Sequence, residues 1–362
     1  MRQRQALATR AVAAAMFFLG LTLTACSHAE DATSAALVPW SAPASVSVIE
    51  EEKSFENGGV KLSGTLYLAS GRKAQSAIVV THAAAFPSRD LPLYRHLKQM
   101  LPALGVAVFV YDRRGSGGSG GDLQASDYAL LADDAIAAVR MLKADARIDS
   151  QRVGIWGLSQ GGWLALLAAS RSSEPAFIVS VSAPLVSPDV QMMFRSTNVL
   201  RINGYSQADI DQMRAARQAV DDYMRGSGDR ATAQRLVDAV KTKPWFKDMY
   251  MGETVSDRAT SRWRKEIEFD PLQTIEGVKV PALVIYGAAD PVVPVAISVD
   301  RLRTAHPKFD LAVIAGADHS MQLSVPPKVQ MDPARMLEQA PDSAEYFAIL
   351  ASWLTRQGMA GY

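Results

Sequence analysis

The chain has 362 residues, of which 48% are hydrophobic and 21% charged, with a formal net charge of +1. That is enough apolar material for one large core or two small ones. No long run of one charge sign occurs, so the basic face or stripe of a nucleic-acid binder is excluded.

Arg2, Arg4 and Arg10 open the chain with no acid among them, and an apolar run follows from Ala11 to Leu23. A positive start, a short apolar stretch and then small residues predict an export signal over residues 1–25. The run is too short for a membrane span of about 20 residues. It ends at Leu23-Thr24-Ala25-Cys26, and Cys26 is the only cysteine. This setting resembles the lipobox of bacterial lipoproteins. The resemblance implies that Cys26 is lipidated, becomes the new N-terminus and holds the protein on a membrane. The expected location is the bacterial cell envelope. Ser27, where an aspartate would favour inner-membrane retention, tilts that expectation toward the periplasmic face of the outer membrane. The alternative is an ordinary cleaved signal with a chance cysteine. Loss of the three arginines would turn the formal charge of +1 into −2. Residues 26–45, rich in Ala, Ser and Pro, read as a flexible tether.

Strands and helices then alternate. Val46–Lys53 and Val60–Leu68 predict an antiparallel pair joined at Asn57-Gly58-Gly59. Ala77–His82 and Val106–Tyr111 are apolar runs suited to strands buried on both faces. Leu91–Leu104 and Ser126–Ala144 predict helices, the second with Tyr128, Leu131, Ala135, Ile136, Val139 and Leu142 on one side. Arg152–Leu158 is a further strand and Gly161–Ala169 a helix of small residues. Phe177–Ser182, Val280–Tyr286 and Phe309–Ile314 complete the strands, with helices at Val295–Thr304 and Ser343–Arg356. The alternation predicts an α/β domain, with a mostly parallel sheet flanked by helices over 46–187 and 269–362. Residues 188–268 break the rhythm and predict a helical insertion. Ile210, Met213, Val220 and Met224 fall at near-helical spacing, and Leu236, Val237 and Val240 suggest another helix before Pro244.

Gly157-Leu158-Ser159-Gln160-Gly161-Gly162 lies between a strand and a helix. Acyl transfer needs a serine projected from a sharp turn, and flanking glycines relieve the crowding there. The turn also presents the Gln160 backbone N–H, at a helix N-terminus, to a developing oxyanion. A solvated serine in a glycine-rich turn is the competing reading. A serine needs a base. Among the five histidines, only His319 follows a late strand and lies downstream of an acid at a neighbouring strand end, Asp290. The order Ser159, Asp290, His319 is that of the nucleophile-elbow hydrolases. Asp318 is the rival acid, disfavoured because adjacent side chains seldom meet well enough to orient an imidazole. A second oxyanion donor should come from the loop after Thr81, by position Ala84. That loop begins His82-Ala83 where hydrolases have His-Gly, which restricts the backbone. Gly115, Gly117 and Gly120 fit a dinucleotide-binding spacing. They follow a charged Asp112-Arg113-Arg114 turn and open no helix directly, so a mobile loop near the site mouth is the preferred role. No metal-ligand cluster is visible.

These residues together resemble the α/β-hydrolase superfamily over roughly 46 to 358. The match takes in the Ser159 elbow, Asp112–Gly115, the Asp290 and His319 loops, and the insertion as a cap domain. Ser88-Arg89-Asp90 is similar to the esterase and dienelactone-hydrolase-like branch. The resemblance implies a cofactor-free serine hydrolase acting on a small-molecule acyl substrate, carboxylic esters first. Peptide or thioester cleavage by the same triad, and an inactive binding lipoprotein, remain open. So does the oligomeric state. Met192, Met193, Met213, Met224, Met249 and Met251, with Trp245, Phe246 and Trp263, either line an apolar acyl pocket or simply pack the cap.

Overall fold

The computed structural model describes residues 45–362, apart from Phe86, Pro307, Ser324, residues 333–340 and Tyr362. The signal segment, Cys26 and nearly all of the tether lie outside the described residues.

Eight strands form one sheet in the order β1-β2-β4-β3-β5-β6-β7-β8. They are β1 (Val48–Asn57), β2 (Val60–Ala69), β3 (Gln75–Thr81), β4 (Val106–Tyr111), β5 (Ile148–Leu158), β6 (Ile178–Val181), β7 (Ala282–Gly287) and β8 (Asp310–Ile314). The first two run antiparallel as a hairpin, with Asn57 paired to Val60 across a two-residue turn. Gly58 and Gly59 sit at φ 59° and 74°, the paired left-handed conformations that such a turn requires. β2 is antiparallel to β4, and every later pairing is parallel. This is the α/β-hydrolase fold.

The central strands are mostly apolar because helices cover both faces. On β4, Ala107, Phe109 and Tyr111 join the core under α2 (Tyr128–Lys143) and α3 (Gln160–Arg171). Val106, Val108 and Val110 face the opposite core, under α1 (Arg95–Met100) and the C-terminal helix Ala344–Arg356. Each such fully buried side chain contributes roughly 1.5–3 kcal/mol. The single helix expected over Leu91–Leu104 is instead α1 flanked by two short 3₁₀ turns, Pro92–Tyr94 and Pro102–Leu104. Pro102 lacks the N–H that an α-helix interior needs. Asp127 caps α2 by accepting from Leu130 N, and Ser343 caps the C-terminal helix.

Between β6 and β7 the chain forms α4 (Pro188–Ile202), α5 (Gln207–Arg225), α6 (Arg230–Val240), a 3₁₀ turn at Phe246–Met249, α7 (Arg262–Ile267) and α8 (Pro271–Glu276). Helices α4 to α7 share a core of their own, including Leu200, Met213, Val237, Trp245 and Met249. The sequence pattern did not reveal α4, which buries the polar Gln191, Arg195, Ser196 and Thr197 beside the apolar Val199 and Leu200. The insertion is tied to the sheet end by two side chains of α4. Gln191 donates to Val292 O at 3.1 Å and Asn198 to Pro291 O at 2.9 Å.

Candidate active site

β5 ends at Leu158 and α3 begins at Gln160, so Ser159 alone makes the turn. It takes φ 55°, ψ −120°, a left-handed conformation costly for any residue with a Cβ. Two anchors hold it there. Ser159 N–H donates to Val181 O at 2.8 Å, and its carbonyl accepts from Gly162 N at 2.9 Å. The turn is also closed by contact. A Cβ on Gly157 would lie 2.1 Å from Gly161 O, and one on Gly161 would lie 2.1 Å from Thr81 O. The two glycines therefore let β5, α3 and the end of β3 meet at van der Waals distance.

Asp290 and His319 leave the ends of β7 and β8, and Ala289 N–H bonded to Ala317 O at 2.9 Å joins their loops. The Asp290 carboxylate is fully buried. One oxygen, Oδ1, accepts from Val292 N at 2.7 Å and Val293 N at 3.0 Å. The other, Oδ2, lies 2.8 Å from His319 Nδ1. Burial alone would push the imidazole down, but the Asp290 carboxylate outweighs it and holds His319 above the ordinary histidine value. The rival acid, Asp318, turns away. Its Oδ1 accepts from Ser320 N at 2.8 Å and Gln322 N at 2.9 Å.

Ser159, His319, Gln160 and Ala84 line one cavity of about 560 Å³, with Asp290 behind the imidazole. Ala83, at the usual glycine position, has no positive φ, so its Cβ carries no backbone strain. The expected restriction is absent. Ala83 N–H donates to Tyr94 OH at 3.2 Å. His82 and His96 have structural partners. His82 Nε2 bonds Tyr111 O, and burial pushes this imidazole down to about 3. His96 is likewise held at about 3 by burial, between Leu93 O at 2.9 Å and Tyr346 OH at 3.0 Å.

The glycine-rich stretch after β4 is anchored at its base, and Asp112 to Gly121 do not line the cavity. Asp112 accepts from Arg89 N at 3.0 Å and Gly118 N at 2.8 Å, and the Arg114–Asp134 pair is buried at 2.5 Å. The next helix starts only at Tyr128. None of the three glycines opens a helix, as a dinucleotide cradle would require.

Arg113 was not singled out from the sequence. It is buried, with Nη1 donating to Gln160 Oε1 at 2.9 Å and Nη2 to the carbonyls of His82 and, at 3.4 Å, Ala83. One rigid guanidinium fork thus joins the Ala84 loop to the residue after Ser159. The doubled arginine directly after a buried strand was the only hint. The insertion supplies the cavity roof. Gln191, Met192 and Arg195 come from α4, and Arg217, Val220, Asp221 and Met224 form one face of α5. Of the methionines and aromatics noted in the sequence, Met192, Met224, Met251 and Trp263 line the cavity. Met213, Met249, Trp245 and Phe246 pack the insertion's own core.

Comparison with known proteins agrees with this architecture. A thiohydrolase of Aspergillus aculeatus is 30% identical over 143 residues, covering 38% of this chain and 43% of that protein. A quorum-quenching protein of Acinetobacter baumannii is 32% identical over 127 residues, covering 35% and 41%. The chain thus spans less than half the length of these relatives. Among solved structures, a Pyrococcus furiosus esterase superposes with a TM-score of 0.54 at 19% identity, covering 86% of this chain and 91% of that one. A Butyrivibrio proteoclasticus protein solved with ferulic acid bound gives 0.52 at 13% identity, covering 84% and 98%. At such identities the likeness is one of fold. The family model described as serine aminopeptidase, S33, matches residues 73–323, from the start of β3 to the loop beyond His319. Because that span includes the elbow, both strand-end loops and the whole insertion, the chain belongs to this family of α/β-hydrolase enzymes.

Proposed function

We propose that the protein is a serine hydrolase that cleaves carboxylic esters through an acyl-enzyme. His319 Nε2 takes the Ser159 proton as the oxygen attacks the carbonyl, and Asp290 fixes the imidazole and stabilises its charged form. The N–H groups of Gln160 and Ala84 receive the oxyanion, with Arg113 holding their two segments in register. The intermediate collapses as His319 gives that proton to the departing alcohol, and His319 then activates water to release the acid from Ser159. Helices α4 to α7 act as a cap over the cavity. The observation that carries this reading is the arrangement of Asp290. Two backbone N–H groups pin one carboxylate oxygen and the other meets His319 Nδ1 at 2.8 Å, behind a cavity shared with a strained serine.

Thioester cleavage uses the same machinery, and the name of the Aspergillus relative favours it as the second reading. The sequence pattern at Cys26 supports a lipid anchor that places this activity on the cell envelope. Labelling of the full chain by a fluorophosphonate, beside Ser159→Ala, tests the nucleophile. Wild type alone should label. Equal labelling of both, or of neither while both are folded, refutes the assignment. Paired ester, thioester and aminoacyl substrates then rank the reactions.

A further inference from the structure

Two arginines of the cap roof carry charge into the cavity without a salt-bridge partner. Arg195 on α4 is 5% exposed and Arg217 on α5 is 3% exposed. Arg195 Nη1 donates to Asp248 O at 2.8 Å, and its guanidinium lies 4.4 Å from the Tyr250 ring centroid. Arg217 Nη2 donates to Met249 O, while its buried Nε has no partner. Carbonyls and a ring face orient a guanidinium but do not neutralise it. Among the described residues, no carboxylate lies within 4.0 Å of either one.

The two charges also act on each other. Burial is the larger cause that lowers Arg217, to about 10, with Asp221 opposing it and Arg195 adding to it. A guanidinium keeps its proton at neutral pH. The acids facing the same space are already committed. Asp221 Oδ1 accepts from Trp263 Nε1 at 2.8 Å, and burial raises this carboxyl to about 6. Glu266 pairs with Arg262 at 2.7 Å. The lining then holds three arginines against two acids, one positive charge in excess, and although Asp221 and Asp248 act on Arg217 and Arg195 from further off, neither arginine has a salt-bridge partner. A buried unpaired cation is unfavourable until an anion reaches it. Around the pair the walls are apolar, from Met192, Val220, Met224, Met251, Val255 and Val292.

We infer that Arg195 and Arg217 form an anion subsite in the cap, selecting substrates with an apolar stem that ends in a carboxylate. This inference rests on the hydrolase reading for its substrate but not for its binding chemistry. A guanidinium pair suits a carboxylate through two-point hydrogen bonding. It opposes a substrate whose recognised end is a free amino group, as an aminopeptidase would require.

The test has a binding arm and a kinetic arm, both on the full chain in detergent. In the first, Ser159→Ala protein is titrated with monomethyl and dimethyl esters of C6 to C10 dicarboxylic acids. The half-ester should bind at least about tenfold more tightly at one or more lengths, the scale of a charge-assisted hydrogen bond. In the second, kcat/KM is compared for 4-nitrophenyl half-esters and their methyl-capped counterparts, and for matched esters with the carboxylate on the alcohol side. A preference for the free carboxylate in either series, carried by KM and reduced at least about tenfold in Arg195→Gln/Arg217→Gln, supports the subsite and tells which side of the substrate it reads. Equal affinity of half-ester and diester in the binding arm overturns it, even if the glutamine variants fail to fold. So does a preference that persists in the folded double variant, or a loss of thermal stability with an unchanged preference. Failure of wild type to take up the fluorophosphonate would sink the hydrolase reading alone, since the binding arm does not need catalysis.

Discussion

Replacing Asp290 by asparagine changes one atom, and the structure dictates where that atom goes. The side-chain oxygen must stay at the Oδ1 position, because Val292 N–H and Val293 N–H both point at it, at 2.7 and 3.0 Å. Turning the amide over would set an NH₂ against two buried donors and forfeit two hydrogen bonds, about 1 kcal/mol each plus the cost of unsatisfied groups. The NH₂ therefore occupies the Oδ2 position, 2.8 Å from His319 Nδ1. Facing a donor, Nδ1 gives up its proton and Nε2 carries it instead. The imidazole then cannot accept the Ser159 proton. The expected loss is about 10⁴-fold in kcat, roughly 5.4 kcal/mol of transition-state stabilisation, with little change in fold. Asp318→Asn is the matched control, because that carboxylate caps backbone N–H groups of Ser320 and Gln322 and does not touch the imidazole. It should cost stability and leave kcat within about tenfold of wild type. Steady-state kinetics on a 4-nitrophenyl ester, with thermal melts for folding, decide the matter. If Asp290→Asn keeps more than about a tenth of the activity, or Asp318→Asn falls as far, the acid has been misassigned.

Three further outcomes follow from the same geometry. His319 must be neutral to act as base, and Asp290 holds its pKa above the ordinary 6.5 despite burial, so kcat/KM should rise with pH along a limb whose midpoint lies above that value. A midpoint below it would contradict the pairing. Arg113→Met should lower kcat about 10–100-fold with KM nearly unchanged, part of what a whole oxyanion donor contributes. Arg113→Lys should not restore it, since an ammonium cannot reach Gln160 Oε1 and the His82 carbonyl as a fork does. Full activity in Arg113→Met would dissociate the clamp from catalysis. Gly157→Ala would set a methyl 2.1 Å from Gly161 O, so denaturant melts should show a loss of at least about 2 kcal/mol. An unchanged midpoint would mean that the turn can open without cost.

The sequence by itself determined what is local. Val106–Tyr111 reads as a strand covered on both sides because every residue in it is apolar. Asn57-Gly58-Gly59 reads as a hairpin because only small or amide residues accept two successive left-handed conformations. The elbow is legible because Gly157 and Gly161 flank Ser159 between a strand and a helix, although the contact that excludes a side chain at Gly161 comes from Thr81, far along the chain. Asp290 and His319 could be nominated from their order and from the strand ends that precede them.

Tertiary structure decided the rest, where a residue's partner is far along the chain or its burial contradicts its polarity. Helix α4 stayed hidden because most of its inward face, Gln191, Arg195, Ser196 and Thr197, is polar, and only Val199 and Leu200 near its end are apolar. The Arg113 fork spans from His82 to Gln160, and the Arg195–Arg217 subsite joins two helices of the insertion. Their roles depend on which carbonyls, rings and carboxylates the fold sets beside a guanidinium, and burial then makes those few neighbours count.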